Sequence, residues 1–494
     1  MSQLSPEGRL SGSPAARMRA VLLVAVLMCA AYTVQVAVDV LRPHLFYEEA
    51  HALVGWLNPP LKGSPYPSFG WYKVSFWCYV LSLPAALALY LMGRRRGQHL
   101  AHRQASAALV LLLPYPVWML DSFTHSFTSL LLCLPSTAYA LWLVHRMQRY
   151  VRLPARFLLA MAGWGAVVGG GFGGSMNQWW LDYAYHYLSP GPGHLMPLDL
   201  ARLKLDVTSG SLVSAGLFEE LGKGAGVAVA HLLLRRHIDN IVSGIVLGAA
   251  CGVGFNLTES AQYMAAHDAA NASTQYFLRQ SLGLMAAHVA FTAAIGAGFG
   301  IARQLKERRA RRTAIVCGFG IAIAGHFAND VFFTAFGRVK DEWFAPGPTV
   351  DLLVLTPLTF LLLQGPLVLL YLVLLRRGAQ DQAAALAVEL RAEAATGHGA
   401  VTAGEVPVLL SPPRRFYLRL RALRRDGITG YHHLGRLYDA QLRLGMTRWH
   451  RSRDEYDPHT AGALAEEALR RRIAGLKRPS VPPPPSPSPV QAAS

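Results

Sequence analysis

Residues Gly216 to Gly226 read G-L-F-E-E-L-G-K-G-A-G inside an apolar run from about Thr208 to Leu234. A run of that length matches the hydrocarbon core of a bilayer, so any fold of this chain must hold Glu219, Glu220 and Lys223 at membrane depth. One charge at the centre of a spanning helix costs at least about 2.5–3.5 kcal/mol on insertion scales. Three such groups so close together require partners on other helices, or a function. On an α-helix Glu219 and Lys223 are four apart and Glu220 and Lys223 three apart, so the lysine can neutralise either carboxylate. The alternative is a structural ion pair that only locks two helices together.

The other apolar runs decide the fold class. Counting Thr208 to Leu234, ten stretches qualify: Met18 to Leu41, 71–93, 105–121, 126–145, 156–174, 208–234, 240–264, 277–302, 313–336 and 351–375. With 52% hydrophobic and only 15% charged residues over 494 positions, the expected fold is all-α, a polytopic transmembrane helix bundle with a small helical cytoplasmic C-terminal region. The first run is too long for the core of a cleaved leader and lacks a small-residue cleavage site, so it is read as an uncleaved span. The third and fourth are expected to be separate spans joined by a tight turn at Asp121 to His125. All five cysteines fall in apolar segments without metal-type spacing and are read as small core residues.

The net charge of +18 would suit nucleic acid, but the Lys and Arg residues cluster between runs, as at Arg94 to Arg96, Arg146 to Arg152, Arg235 and Arg236, Arg303 to Arg312 and Arg376 and Arg377. These clusters occupy every second connection, which places both termini in the cytoplasm of a multi-pass cell-membrane protein. No nucleic-acid partner is expected, because no reading motif accompanies the charge. The two long outer connections, 42–70 and 175–207, carry Trp56, Tyr66, Trp71, Trp179, Trp180, Tyr183, Tyr185 and Tyr187 and are expected to cap the outer face. Gly244, Gly248 and Gly252 in the seventh run and Gly222 and Gly226 in the sixth predict close packing of those two helices.

Beyond Arg377 the composition changes to an Ala- and Glu-rich helical stretch. A basic amphipathic segment follows, Arg414 to Arg425, suited to anionic lipid. Two further helical stretches, 431–449 and 459–476, precede a Pro/Ser-rich tail. The expected organisation is a disordered N-terminus at 1–16, five spans with their outer loops at 17–207, a four-helix catalytic core at 208–336, an outer loop and last span at 337–378, a cytoplasmic helical region at 379–477 and a disordered tail at 478–494.

Three later runs also carry polar or ionisable groups. The seventh has G-F-N-L-T-E-S with Asn256 and Glu259, the eighth A-A-H-V-A-F with His288, and the ninth A-G-H-F-A-N-D with His326, Asn329 and Asp330. Counted from the ends of the runs, Glu219, His288 and His326 all reach the membrane midplane. Glutamate and histidine are the side chains hydrolysis needs: a carboxylate that takes a proton from water, and donors or a cation that stabilise an oxyanion. Two histidines with one or two carboxylates also match a catalytic zinc shell.

The ordered motifs E-E-x-x-K at Glu219, Glu220 and Lys223, F-x-x-x-E at Phe255 and Glu259, a lone His288 and H-x-x-x-D at His326 and Asp330 resemble the PrsW family of intramembrane proteases. That family is similar to the wider group of CAAX-prenyl endopeptidases and Abi-type membrane proteins. The wider pattern has E-E-x-x-x-R, F-x-x-x-H and H-x-x-x-N, so Lys223, Glu259 and Asp330 are departures from it. The resemblance implies an intramembrane endopeptidase that cleaves a membrane-embedded or membrane-proximal protein, as in anti-sigma-factor processing, rather than a prenyl-protein processing enzyme. Under that reading Glu219 or Glu220 activates water and Lys223 orients the pair. Glu259, His288 and His326 then hold Zn2+ or, without metal, donate to the oxyanion, while Asp330 supports His326 or joins the shell. Rival readings of the same residues are a proton-coupled transporter or channel using a Glu/His relay, and a non-catalytic scaffold. The substrate's identity and the oligomeric state leave no mark in these motifs.

The charge pattern yields a direct test of topology. A green fluorescent protein fused after Ser494 is expected to fluoresce, and alkaline phosphatase fused at the same point to be inactive.

Overall fold

The computed structural model describes residues 14–41, 69–183, 197–234, 237–238, 240–266, 269–452 and 461–478. The expected disordered N-terminus to residue 13, the tail beyond 478, residues 42–68 of the first aromatic outer connection and 184–196 of the second lie outside these residues. Among the described residues the chain is helical and has no strand. Two compact units are distinguished among the described residues, one drawn from 14–148 and 152–379 and the other from 149–151 and 380–478.

The larger unit begins with α1 (Pro14–Leu41) and α2 (Phe69–Arg95). The third expected span is broken into α3 (Leu100–Leu112) and α4 (Pro114–His125), bent by 41°. Proline at the first position of α4 explains the break, because its ring cannot continue the preceding turn. Only Ser126 separates α4 from α5 (Phe127–Arg146), so the expected turn at 121–125 is instead the last part of α4. The fifth span is α6 (Ala155–Gly163), a π-helical stretch (Trp164–Gly169) and α7 (Gly170–Tyr183). It is followed by α8 (Pro197–Leu233) and α9 (Ile241–Ala265). Next come α10 (Ala269–Tyr276), which passes into a second π-helical stretch (Phe277–Leu282), then α11 (Ala287–Gln304) and α12 (Arg308–Phe344). A turn at Pro348–Val350 and a third π-helical stretch lead into α13 (Thr356–Ala395).

Eight of these helices are long and apolar enough to cross a membrane, and the bent pair α3 and α4 makes nine. The sixth expected span, α8, carries Glu219, Glu220 and Lys223 near its centre and so is not counted among these purely apolar helices. Large apolar side chains on α2, α5 and α13 are exposed, among them Leu81, Leu87, Trp142, Leu361 and Leu369. A water-soluble protein does not leave such surfaces bare, whereas lipid tails cover them without cost. The chain is a multi-pass, all-α membrane protein.

At the centre stands α9, buried along almost its whole length. Asn240 starts it with a capping box, its side chain accepting from the Ser243 N–H at 3.2 Å and its own N–H donating to the Ser243 hydroxyl. The glycines of α9 do not face α8, as expected, but α11. A Cβ on Gly244, Gly248 or Gly252 would collide with the carbonyl oxygen of Gly296, Thr292 or His288, and one on Gly296 would meet that of Gly244. The reason is that α11 offers Gly296 and Gly300 at the same four-residue spacing, so two small-residue faces meet and the backbones touch. Gly222 and Gly226 of α8 instead admit Phe172 and Trp164 of the fifth span, and the Trp164 indole N–H donates to the Gly222 carbonyl at 3.1 Å. Contact between α12 and α13 is made by side chains, such as Phe333 on Phe360 at 6.0 Å and Leu367 over Gly325. All five cysteines are unpaired, and Cys317, expected in the core, is exposed on α12.

The smaller unit contains the end of α13, α14 (Val406–Leu409), α15 (Pro412–Ser452) and α16 (Ala461–Lys477). Its core joins Leu386 and Leu390 to Leu409, Leu442 and Met446. Buried Glu393 is held by Arg448 at 2.7 Å and by Arg470 at 2.8 Å. Gly427, at φ 66° and ψ −164°, kinks α15 and divides it into two helices.

Gly248→Leu is expected to lower stability by about 1–3 kcal/mol or more, because the neighbouring backbone cannot yield. Gly320→Ala on α12, where an added methyl meets nothing within 4 Å, should be neutral or stabilising by about 0.5–1 kcal/mol. Thermal unfolding of both variants in detergent checks the contrast.

Candidate active site

Lys223 is fully buried, and its ammonium lies 2.5 Å from Glu220 Oε1, 3.6 Å from Glu219 Oε2 and 3.2 Å from His288 Nδ1. The same ammonium stands 3.9 Å from the centre of the Phe255 ring, so the phenylalanine of F-x-x-x-E supplies a cation–π face. An ammonium ion can only donate, and here it has an acceptor or an aromatic face on each side. The expected pairing of Lys223 with both carboxylates is present. Glycines of the fifth span make the space: a Cβ on Gly173 would lie 2.8 Å from Glu219 Cγ, and Gly169 stands against the Lys223 stem. That span is π-helical at Trp164–Gly169, directly beside α8.

The two adjacent glutamates of α8 have different surroundings. Glu220 is fully buried with both oxygens engaged, Oε1 by Lys223 and by His326 Nδ1 at 3.0 Å, and Oε2 by the Thr292 hydroxyl at 3.5 Å. Glu219 Oε1 accepts from Asn177 Nδ2 at 3.0 Å, and Ser214 in turn donates to Asn177 Oδ1 at 3.1 Å. Glu219 Oε2 is buried and has no hydrogen-bond partner.

His326 meets Glu220 Oε1 through Nδ1, and its Nε2 stands 3.8 Å from Glu219 Oε2 and 3.5 Å from Asp330 Oδ2. Its ring stacks on Phe291 with 5.0 Å between centroids. His288, with its ring centroid 5.0 Å from that of His326, meets Glu259 Oε2 through Nε2. Glu259 is also bound by Arg279 Nη1 at 2.7 Å, and the Arg279 guanidinium lies over Tyr263. Asp330, the most exposed carboxylate of the group at 23%, accepts from Asn329 Nδ2 at 3.0 Å.

All seven residues singled out from the sequence thus come together on α8, α9, α11 and α12. Among the described residues, Glu219, His288 and His326 are the group whose ligand atoms all lie within 4.8 Å of one another. Glu259, expected among the metal ligands, is joined to Arg279 and His288, while Glu219 takes the place beside the histidines. Asn177, Thr292 and Arg279 were not expected at the site. The glycine-rich run from Gly163 to Gly174 is the sequence signal that could have brought the fifth span in, because helices approach closely where side chains are missing.

The site therefore defines a membrane-embedded hydrolase-type centre of carboxylates and imidazoles inside a polytopic helix bundle. Residues 153–362 match the family described as PrsW family intramembrane metalloprotease. The chain carries a PrsW-family domain over those residues and is an intramembrane metalloprotease, so its substrate is a membrane protein. The match takes in the fifth span, whose Asn177 and glycines touch Glu219, as well as all four motif-bearing helices. No curated protein and no solved structure matches the chain.

Removing one partner of a buried ion pair leaves the other charge uncompensated, at a cost of about 3–5 kcal/mol. Lys223→Met is expected to destabilise the protein by that order, and Glu220→Gln in the same chain to recover part of it. Thermal unfolding of the single and double variants provides the check.

Proposed function

We propose that Glu219, His288 and His326 hold the divalent metal of this protease, that the metal is Zn2+, and that Asp330 is the general base. The grouping of a Glu219 oxygen with both histidines, all within 4.8 Å of one another, carries the reading, and Glu219 Oε2 accepts no hydrogen bond. Two histidines and one glutamate are a donor set of catalytic zinc sites, and His288, whose nitrogens meet Lys223 and Glu259, would exchange one of these contacts for the metal. Glu220 would orient His326 for a ligand role by accepting its Nδ1 proton, so that Nε2, which stands near Glu219 and Asp330, is the atom offered to the metal. Charge balance supports a dication as well. The four carboxylates Glu219, Glu220, Glu259 and Asp330 gather with two fixed cations, Lys223 and Arg279, so with neutral histidines this group of described side chains carries two more negative charges than positive ones. Burying unbalanced carboxylates is costly, and one divalent ion or two protons would close the deficit.

A zinc ion held there would polarise the scissile carbonyl and lower the pKa of an attacking water. The residues of the chain supply the rest. Asp330 Oδ2, partly exposed and 3.5 Å from His326 Nε2, accepts the proton of the water and passes it to the leaving amine. Lys223 pairs with Glu220, and Glu220 fixes the His326 ring. Asn177 holds Glu219 Oε1 and so directs Oε2 at the histidines. Because both oxygens of Glu220 are engaged in a dry setting, it serves as an orienting group rather than as the base.

The proposed substrate is a membrane-spanning or membrane-proximal protein, cleaved in signalling of the anti-sigma-factor kind. The proposed setting is the cell membrane, with both termini cytoplasmic. In α15, Phe416 and Tyr417 are exposed beside Arg414, Arg421, Arg424 and Arg425, which supports contact of this helix with anionic lipid.

Elemental mass spectrometry of the purified protein, with cleavage of reconstituted single-span reporter proteins, tests the assignment. Wild type should hold about one zinc per chain, and Glu219→Gln, His288→Ala and His326→Ala should lose both metal and cleavage. Asp330→Asn should keep the metal and lose about 10²–10⁴-fold in rate. An active, metal-free wild type would overturn the metal assignment, and full activity of Asp330→Asn would remove its role as base.

A further inference from the structure

We infer that Gln364, on the last span and outside every motif discussed above, is a positioning residue that sets the two histidine-bearing helices in register at the site. Gln364 is buried at 2% exposure on α13. Its Oε1 accepts the backbone N–H of Ala287 at 3.1 Å, and its Nε2 donates to Asn329 Oδ1. Both ends of one side-chain amide are thus used, on two different helices.

The first contact falls at a weak point of the backbone. Ala287 opens α11, directly before His288, and has φ 43°, a left-handed conformation that non-glycine residues rarely hold. The N–H groups of a first helical turn have no partner within the helix, and Ala286 provides no side-chain cap. Gln364 supplies the missing acceptor from another span and so holds the strained turn that aims His288. Through its second contact it fixes Asn329, which donates to Asp330 Oδ1 at 3.0 Å, while Asp330 Oδ2 stands 3.5 Å from His326. One neutral amide thereby couples the backbone of one proposed ligand to the carboxylate beside the other.

The inference rests on the proposed metal site for its consequence but not for its geometry, so two readouts separate them. Wild type, Gln364→Leu and Gln364→Leu/Ala287→Gly are reconstituted in lipid nanodiscs, followed by hydrogen exchange over 283–290 and titrated with Co2+ alone, read by its visible absorption. Gln364→Leu should exchange faster at Ala287, and its Co2+ affinity should fall about 10–100-fold, the usual effect of losing a group that orients a ligand. Glycine holds a positive φ without strain, so Ala287→Gly should restore most of the Co2+ affinity while leaving the N–H unprotected. Loss of general stability alone would not be repaired in this way. Wild-type exchange at Ala287 in Gln364→Leu, or no recovery with Ala287→Gly, would overturn the inference. Absence of Co2+ binding by wild type would overturn the metal site, and the exchange data would still decide the role of Gln364.

Discussion

A lysine ammonium with no exposure to solvent, set among two glutamates, a histidine and a phenylalanine ring, is the interaction on which the arrangement of spans depends. No single helix can satisfy a charge in hydrocarbon. Lys223 has carboxylates on its own helix, but its remaining contacts come from α9 and α11, and Glu220 needs His326 of α12. These partners reach it only because neighbouring helices come close. Gly169 and Gly173 let the fifth span press on α8, and the glycines of α9 bring the start of α11 to the same place. The cost of the charges is thus offset by packing that only small residues permit.

Glu219 and Glu220 show how far apart two adjacent identical residues can be set. The rotation of about 100° from one helical residue to the next decides their neighbours: Glu220 points into the contact with Lys223, Thr292 and His326, and Glu219 toward the fifth span with one oxygen that accepts no hydrogen bond. A centre that must bind and a centre that must hold its shape need such unequal carboxylates. The same division appears between Glu259, tied to Arg279, and Asp330, which keeps partial contact with solvent.

Much of this was legible in the sequence, for physical reasons. Ionisable residues in apolar runs have few allowed places, so Glu219, Glu220, Lys223, Glu259, His288, His326 and Asp330 stood out and do converge. Helical periodicity also gave the Glu219–Lys223 and Glu220–Lys223 pairs. Less visible was which helix would receive each glycine face, because a small-residue stripe names no partner. The stripe on α9 fits α11, which has its own, rather than the preceding span. Neutral amides were the hardest to find. Asn177 and Gln364 look like ordinary polar residues of membrane helices, and only coordinates show that Asn177 ends on Glu219 and Gln364 on the neighbours of His288 and Asp330.

The seam between α9 and α11 has a mechanical consequence. Where backbone lies on backbone there is no side chain to swing aside, so these two helices form a wall that cannot part without breaking contacts along its whole length. The junction of α12 with α13 is made of flexible side chains, Phe333 on Phe360 and Leu367 over Gly325, and Phe332 and Phe336 face outward nearby. The junction beside α12, the helix that bears His326 and Asp330, is therefore the more deformable of the two seams.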